Sequence, residues 1–160
     1  MSSNIFMKLG NDIKGESKDE EHKDWIEIES FTWSASSPAS FRTHGLGQGT
    51  AQLSEVSCSI AFDKSVPKMF EALGKGTHIP TVEVDVIKGG DLKKPYLKLS
   101  MTEVYVTSLT TAGAAQGEWN ASFTLAYKTY KLEYSTQDDK GNLTKAGQAE
   151  FNMETNKITG

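Results

Sequence analysis

Apolar and polar residues alternate with a period of two along most of this chain, the spacing of strands whose two faces meet different surroundings. "NIFMKLG" sets Ile5, Met7 and Leu9 on one face, and "VSCSIAF" sets Val56, Cys58, Ile60 and Phe62 against Ser57, Ser59 and Ala61. "TVEVDVI" places Val82, Val84 and Val86 opposite Glu83 and Asp85. Three further stretches alternate with a fault. In "DWIEIESFTW", Ile26 and Ile28 share one parity while Phe31 and Trp33 take the other. One extra residue near Glu29 or Ser30, a β-bulge, would return all four to the core. "PYLKLSMTEVYVTSL" shifts from Leu97, Leu99 and Met101 to Val104 and Val106. "WNASFTLAYKTYKLEY" shifts from Trp119, Phe123, Leu125 and Tyr127 to Tyr130, Leu132 and Tyr134. Long strands that change phase predict strands bent around a barrel or shared between two sheets. "DDKGNLT" reads as a turn and "AEFNMET" as a closing strand.

Only "KSVPKMFEALGKG" has a helical period, with Val66, Met69, Phe70 and Leu73 at i, i+3, i+4 and i+7. Ser65 is the expected cap, Pro67 is tolerated in the first turn, and Gly74 is the expected stop. The chain reads as one domain over 1–160, mainly β, with one short helix plugging or flanking a barrel. Residues 34–51, "SASSPASFRTHGLGQGTA", form an extended loop longer than a turn requires. It is rich in Gly and Ser yet carries Phe41 and Leu46, so it reads as an arm that orders on a partner.

Charge and composition narrow the function. A net charge of −4, with a pI near 5.4 and no basic block, argues against nucleic-acid binding. Cys58 is the one cysteine, which excludes an intrachain disulfide and thiolate metal sites. The N-terminal stretch has no signal-peptide pattern, and no segment has the length of a bilayer span. The expectation is a protein made in a cytoplasm that leaves it, if at all, without a cleaved signal.

Candidate chemistry is sparse. Glu16, Asp19, Glu20, Glu21 and Asp24 beside His22 are interleaved with Lys14, Lys18 and Lys23. Alternating signs read as a solvated, self-neutralising surface rather than as a convergent site. "GLGQGT" has Thr50 where a dinucleotide fingerprint needs glycine, and "LGKGTH" has Gly76 where a P-loop needs Ser or Thr. Cys58 falls on the Val56/Ile60 face, as a buried inert thiol would. His44 and His78 have no reason in the sequence to meet it, and Asn120 and Asn142 open acceptor triplets of a frequent kind. No catalytic constellation, metal or cofactor is expected.

What remains is the other face of the strands. Thr32, Ser57, Ser59, Ser122 and Thr124 lie opposite apolar positions, all small and uncharged, where a water-facing strand usually also carries Lys, Glu or Arg. This predicts a face that is wet yet adheres weakly.

"DIKGESKDEEHKDWIEIESFTW" resembles the N-terminal signature of the haemolysin-coregulated protein (Hcp) family, the inner-tube protein of the bacterial type VI secretion system. The likeness lies in the run Ile13 to Ser17, in His22 and in the Phe31-Thr32-Trp33 triplet. "DKSVPKMFEALGKGTH", "YKLEYSTQDDKGN" and "FNMETNKI" extend it over essentially the whole chain. The resemblance implies a phage tail-tube-like fold, a two-sheet β-barrel with a flanking helix, assembling as a hexameric ring. It implies stacking of rings into a tube, a spike protein at the tip, a contractile sheath outside, effector proteins in the lumen, and release by the type VI apparatus. Thr32, Ser57, Ser59, Ser122 and Thr124 would then line the lumen, and Phe41, Arg42, His44 and Leu46 in the arm would reach the next ring. Rival readings are a tail-tube protein of a phage-like particle, a monomeric ligand-binding β-barrel, and a small secreted enzyme. Neither membrane insertion nor nucleic acid enters any of them.

Overall fold

The computed structural model describes residues 3–37, 51–89 and 94–160, and the backbone of 39–42 and 45–48. Its strands are β1 (Ser3–Leu9), β2 (Ile26–Ile28), β3 (Ser30–Thr32), β4 (Ala35–Ser36), β5 (Ala39–Arg42), β6 (Gly45–Gln48), β7 (Gln52–Leu53) and β8 (Val56–Ala61). The helix α1 (Ser65–Lys75) follows. Then come β9 (Ile79–Lys88), β10 (Pro95–Ala112), β11 (Asn120–Ala126), β12 (Thr129–Gln137), β13 (Leu143–Asn152) and β14 (Lys157–Thr159).

Two layers face each other. The larger carries β2, β1, β9, the first half of β10, β12, β13 and β14; the smaller carries the second half of β10, β11, β8 and β3. All pairings are antiparallel. The three phase faults of the sequence fall where the chain passes between layers. β2 pairs with β1 but β3 pairs with β8, and the break between them is Glu29, whose N–H donates to the Ser59 carbonyl at 2.9 Å. β10 pairs with β9 and β12 as far as Val104, then with β11 from Tyr105 onwards. Glu103 sits at that corner with φ +55°, the left-handed region a side chain enters only under constraint. β11 ends and β12 begins across Tyr127 and Lys128, and the Lys128 N–H donates to the Thr102 carbonyl at 2.9 Å. A strand turning a corner drops one residue from the alternation, so its inward positions change parity.

The core fills the space between layers. Met7, Leu9, Ile26, Val82, Val84, Met101 and Tyr130 come from one side, and Val56, Cys58, Ile60, Phe123 and Leu125 from the other. Each fully buried side chain of this size contributes about 1.5–3 kcal/mol relative to exposure. Within one chain, however, the strands form no closed barrel: among the described residues the order runs from β14 to β3, leaving β3 and the second half of β10 as open edges.

Several local expectations change. α1 buries Val66, Met69 and Ala72 against β10, while Phe70 is exposed. Ser65 does not cap the helix; Asp63 accepts from the Ser65 N–H at 2.8 Å and from its hydroxyl. Gly74 lies inside the helix and Gly76 ends it, at φ +62°. Trp119 leaves the core: its ring lies across Gly113 and meets Phe62 edge-on at 6.3 Å.

The acidic run is the largest correction. It is a folded flap rather than a solvated loop. Gly15 N–H donates to the Asp24 carbonyl at 2.8 Å, Ser17 N–H to Trp25 at 3.1 Å, and Asp24 N–H to Ser17 at 3.0 Å. His22 is 2% exposed, stacked on Phe6 at 4.6 Å and edge-on to Trp25 at 4.7 Å. Its Nδ1 meets Asp19 at 2.7 Å and its Nε2 meets Asp85 at 2.8 Å. With a carboxylate at each ring nitrogen, both contacts are hydrogen bonds only when both nitrogens carry protons. The lysines and the remaining carboxylates of the run do face solvent.

Candidate functional site

The outward faces of the two layers differ in chemistry. On the larger layer, away from the flap that covers Asp85, cross-strand partners form a checkerboard of charge: Lys8 opposite Glu83, Lys98 opposite Glu133, and Lys131 opposite Glu150. Lys131 reaches Glu133 at 3.0 Å and holds the Glu133 carboxyl below its usual range, mainly through that hydrogen bond. This is an ordinary solvated face.

The smaller layer's outward face carries hydroxyls. Thr32, Ser57, Ser59, Ser122 and Thr124 all lie on it and line one shallow concavity. The pairing explains why: Thr32 sits opposite Ser57, Ser57 opposite Thr124, and Ser59 opposite Ser122. Sequence reasoning missed Ser30, Ser108 and Thr110 in the same concavity. Ser30 adjoins the break at Glu29, and Ser108 and Thr110 follow a second register shift between Val106 and Ser108. Their phase cannot be read without the partner strand.

Four of these hydroxyls, those of Ser30, Ser59, Ser108 and Thr124, have hydroxyl partners. Ser30 pairs with Ser59. Thr107 donates to the Glu55 carboxylate at 2.8 Å; it therefore accepts from Thr124 at 2.7 Å, and Thr124 from Ser108 at 2.6 Å. An acceptor-only carboxylate at one end thus fixes the direction of the whole chain of bonds. Cys58, behind this wall, is buried, and burial pushes its thiol up to about 12. It offers no nucleophile. His78 is exposed and bonded to Glu103, far in the chain from Cys58. Among the described residues no group of three or more His, Cys, Asp or Glu converges as a metal site. No described helix is long and apolar enough to cross a membrane.

The arm is a second candidate surface. Its described strands form two short ladders, β4 with β7 and β5 with β6. Phe41 partners Leu46 and Arg42 partners Gly45 along the backbone. The side chains of Phe41, Arg42 and Leu46, and all of His44, lie outside the described residues.

Residues 6–134 match the family described as "Type VI secretion system effector, Hcp". Protein hcp1 of Pseudomonas aeruginosa is 31% identical over 146 residues, 88% of each chain. A solved type six secretion system protein superposes with a TM-score of 0.92 at 29% identity, covering 99% of this chain and 100% of that one. Hcp1 from Salmonella typhimurium does so with a TM-score of 0.79 at 26% identity, covering 99% and 100%. With a signature spanning both layers and the helix, and a relative of that identity, the chain belongs to the Hcp family of type VI secretion system proteins.

Proposed function

We propose that this chain is a wall subunit of the secretion tube, a hexameric ring former whose rings stack, with the hydroxyl face turned to the lumen. One observation carries the reading: a face of Ser and Thr on one layer against a charged checkerboard on the other. The first suits a channel through which effector proteins travel, the second an outer surface against water and sheath.

The open edges support closure. β3 and the second half of β10 bound the smaller layer on opposite sides. Unpaired edges invite pairing, and head-to-tail pairing with a closing rotation gives a ring without lateral edges. A hexamer of this four-strand layer would wall the channel with about two dozen strands, at about 4.8 Å spacing a circumference of about 115 Å and a diameter of about 37 Å. Strand tilt widens this. Such a bore admits a small folded protein. The arm would meet the next ring, and the spike would close the tip. Catalysis has no part in this role.

Native mass measurement and negative-stain microscopy of the purified protein test it. Six-fold rings with an open centre are expected over a wide concentration range. A species near 17.5 kDa without rings would overturn it and favour the monomeric ligand-binding barrel.

A further inference from the structure

The arm's described backbone forms two short ladders. They pair only within themselves among the described residues, and a two-stranded ribbon is marginal in water. Contacts with the body of the fold are described at its base, where the chain leaves at Trp33 and returns at Ser54. Those two residues meet the same phenol. Trp33 Nε1–H donates to Tyr127 Oη at 2.7 Å, and Tyr127 Oη–H donates to the Ser54 carbonyl at 2.7 Å. Between the legs, Ser54 N–H donates to the Ser34 carbonyl at 2.8 Å, and Ser34 N–H to Ser54 Oγ at 2.9 Å.

The phenol is itself fixed. Tyr127 occupies the corner between β11 and β12 and is half-buried. Trp33 stacks on Tyr130 at 4.0 Å and 8° and meets Phe151 edge-on at 5.5 Å. Tyr130 is fully buried. One hydroxyl thus ties the outgoing leg, through the indole, and the returning leg, through the carbonyl, to the buried core at Tyr130.

We propose that Tyr127 positions the arm for docking on a second copy of this chain, its hydroxyl clamping both legs through Trp33 and Ser54. This rests on the reading that the arm joins ring to ring. Tyr127 does not touch the neighbouring copy in this account; it acts by limiting the angles the arm samples. Losing the clamp should leave subunit and ring intact and slow stacking, because only a fraction of arms then point correctly.

Tyr127→Phe removes the hydroxyl and keeps the ring. Trp33→Phe keeps an aromatic face on Tyr130 and removes the indole donor. Both are compared with a variant in which residues 34–51 become a short Gly-Ser turn, by native mass, by amide exchange, and by release into the medium from host cells lacking the wild-type copy. For Tyr127→Phe the proposal expects wild-type ring mass, exchange at Ser34 and Ser54 faster by at least tenfold, and release lower by at least tenfold. Trp33→Phe should change release in the same direction. If Tyr127→Phe is released like wild type while the short-turn variant is not, the clamp is refuted and the arm reading stands. If the short-turn variant is released normally, the arm reading itself fails. If Tyr127→Phe rings do not assemble, the hydroxyl serves the body rather than the arm, and the proposal is overturned.

Discussion

Thr32→Glu separates assembly from transport. Thr32 is exposed on β3, between the half-buried Phe31 and Trp33, with Ser57 as its cross-strand partner. No charged side chain lines the concavity around it. A surface exchange at such a position costs within about 0.5 kcal/mol per chain. In a hexamer with a bore of about 37 Å, neighbouring copies lie about 18 Å apart. Two charges at that distance in water repel by about 0.2 kcal/mol. At physiological ionic strength, with a screening length of about 8 Å, about a tenth of that survives. The ring should not notice six such charges. Cargo pressed to the wall, within one screening length of a carboxylate, should: acidic effectors are expected to be lost and basic ones retained. The assay is native mass and melting temperature for the ring, and co-purification of effectors of opposite charge for the lumen. An unfolded protein, or a ring that dissociates, would mean Thr32 is not on an open wall. An intact ring with unchanged cargo would place the hydroxyl face elsewhere than the lumen.

A β-carbon at Gly15 would lie 2.4 Å from the Trp25 carbonyl oxygen and 2.6 Å from Ile26 Cα, backbone atoms that cannot step aside. Gly15→Ala should therefore cost about 1–3 kcal/mol, read as a Tm several degrees lower; an unchanged Tm would mean the flap is not held as described. Cys58 should resist a thiol reagent at pH 8 until the protein unfolds, and stoichiometric labelling of the native state would contradict its burial. Because its folded pKa is raised from about 9 to about 12, its contribution is intact below pH 9 and lost as pH rises towards 12. Cys58→Ala should remove that part of the alkaline slope in denaturant titrations.

Strand parity was legible in the sequence because alternation is local: Val56, Cys58 and Ile60 need only their neighbours to be assigned inward. The hydroxyl wall was legible for the same reason at Ser57, Ser59, Ser122 and Thr124. Ser108 and Thr110 were not, since the extra residue at Thr107 is visible only against Thr124 and Leu125 on β11. His22 escaped because its burial depends on Asp85, 63 residues away in the chain. Phe70 and Trp119 misled in the other direction: each is apolar and in phase, yet each ends outside the core. The stop at Gly76 rather than Gly74 reflects two glycines equally able to end a helix, of which the later adopts the left-handed turn and donates to Leu73.

The hydrogen bonds among some of the wall hydroxyls bear on why such a face would suit a channel. A free hydroxyl bonding to cargo contributes about 0.5–1.5 kcal/mol net, and a wall repeated around and along a tube multiplies even weak contacts. Here Ser108, Thr124 and Thr107 direct their protons along one another towards Glu55, and Ser30 and Ser59 are paired. Each proton already committed is one fewer for a passing surface to capture. The wall remains wettable, because Thr32, Ser57, Thr110 and Ser122 keep their hydroxyls for water, while Ser108 and Thr124 have theirs engaged. A charged checkerboard like that of the larger layer would instead hold oppositely charged cargo and exclude the rest. In the proposed role, weak and indiscriminate contact would let one tube serve cargoes of different sequence. It would follow from the residue types on this face, small, uncharged and hydrated, helped where Ser108, Thr124 and the Ser30–Ser59 pair are already bonded.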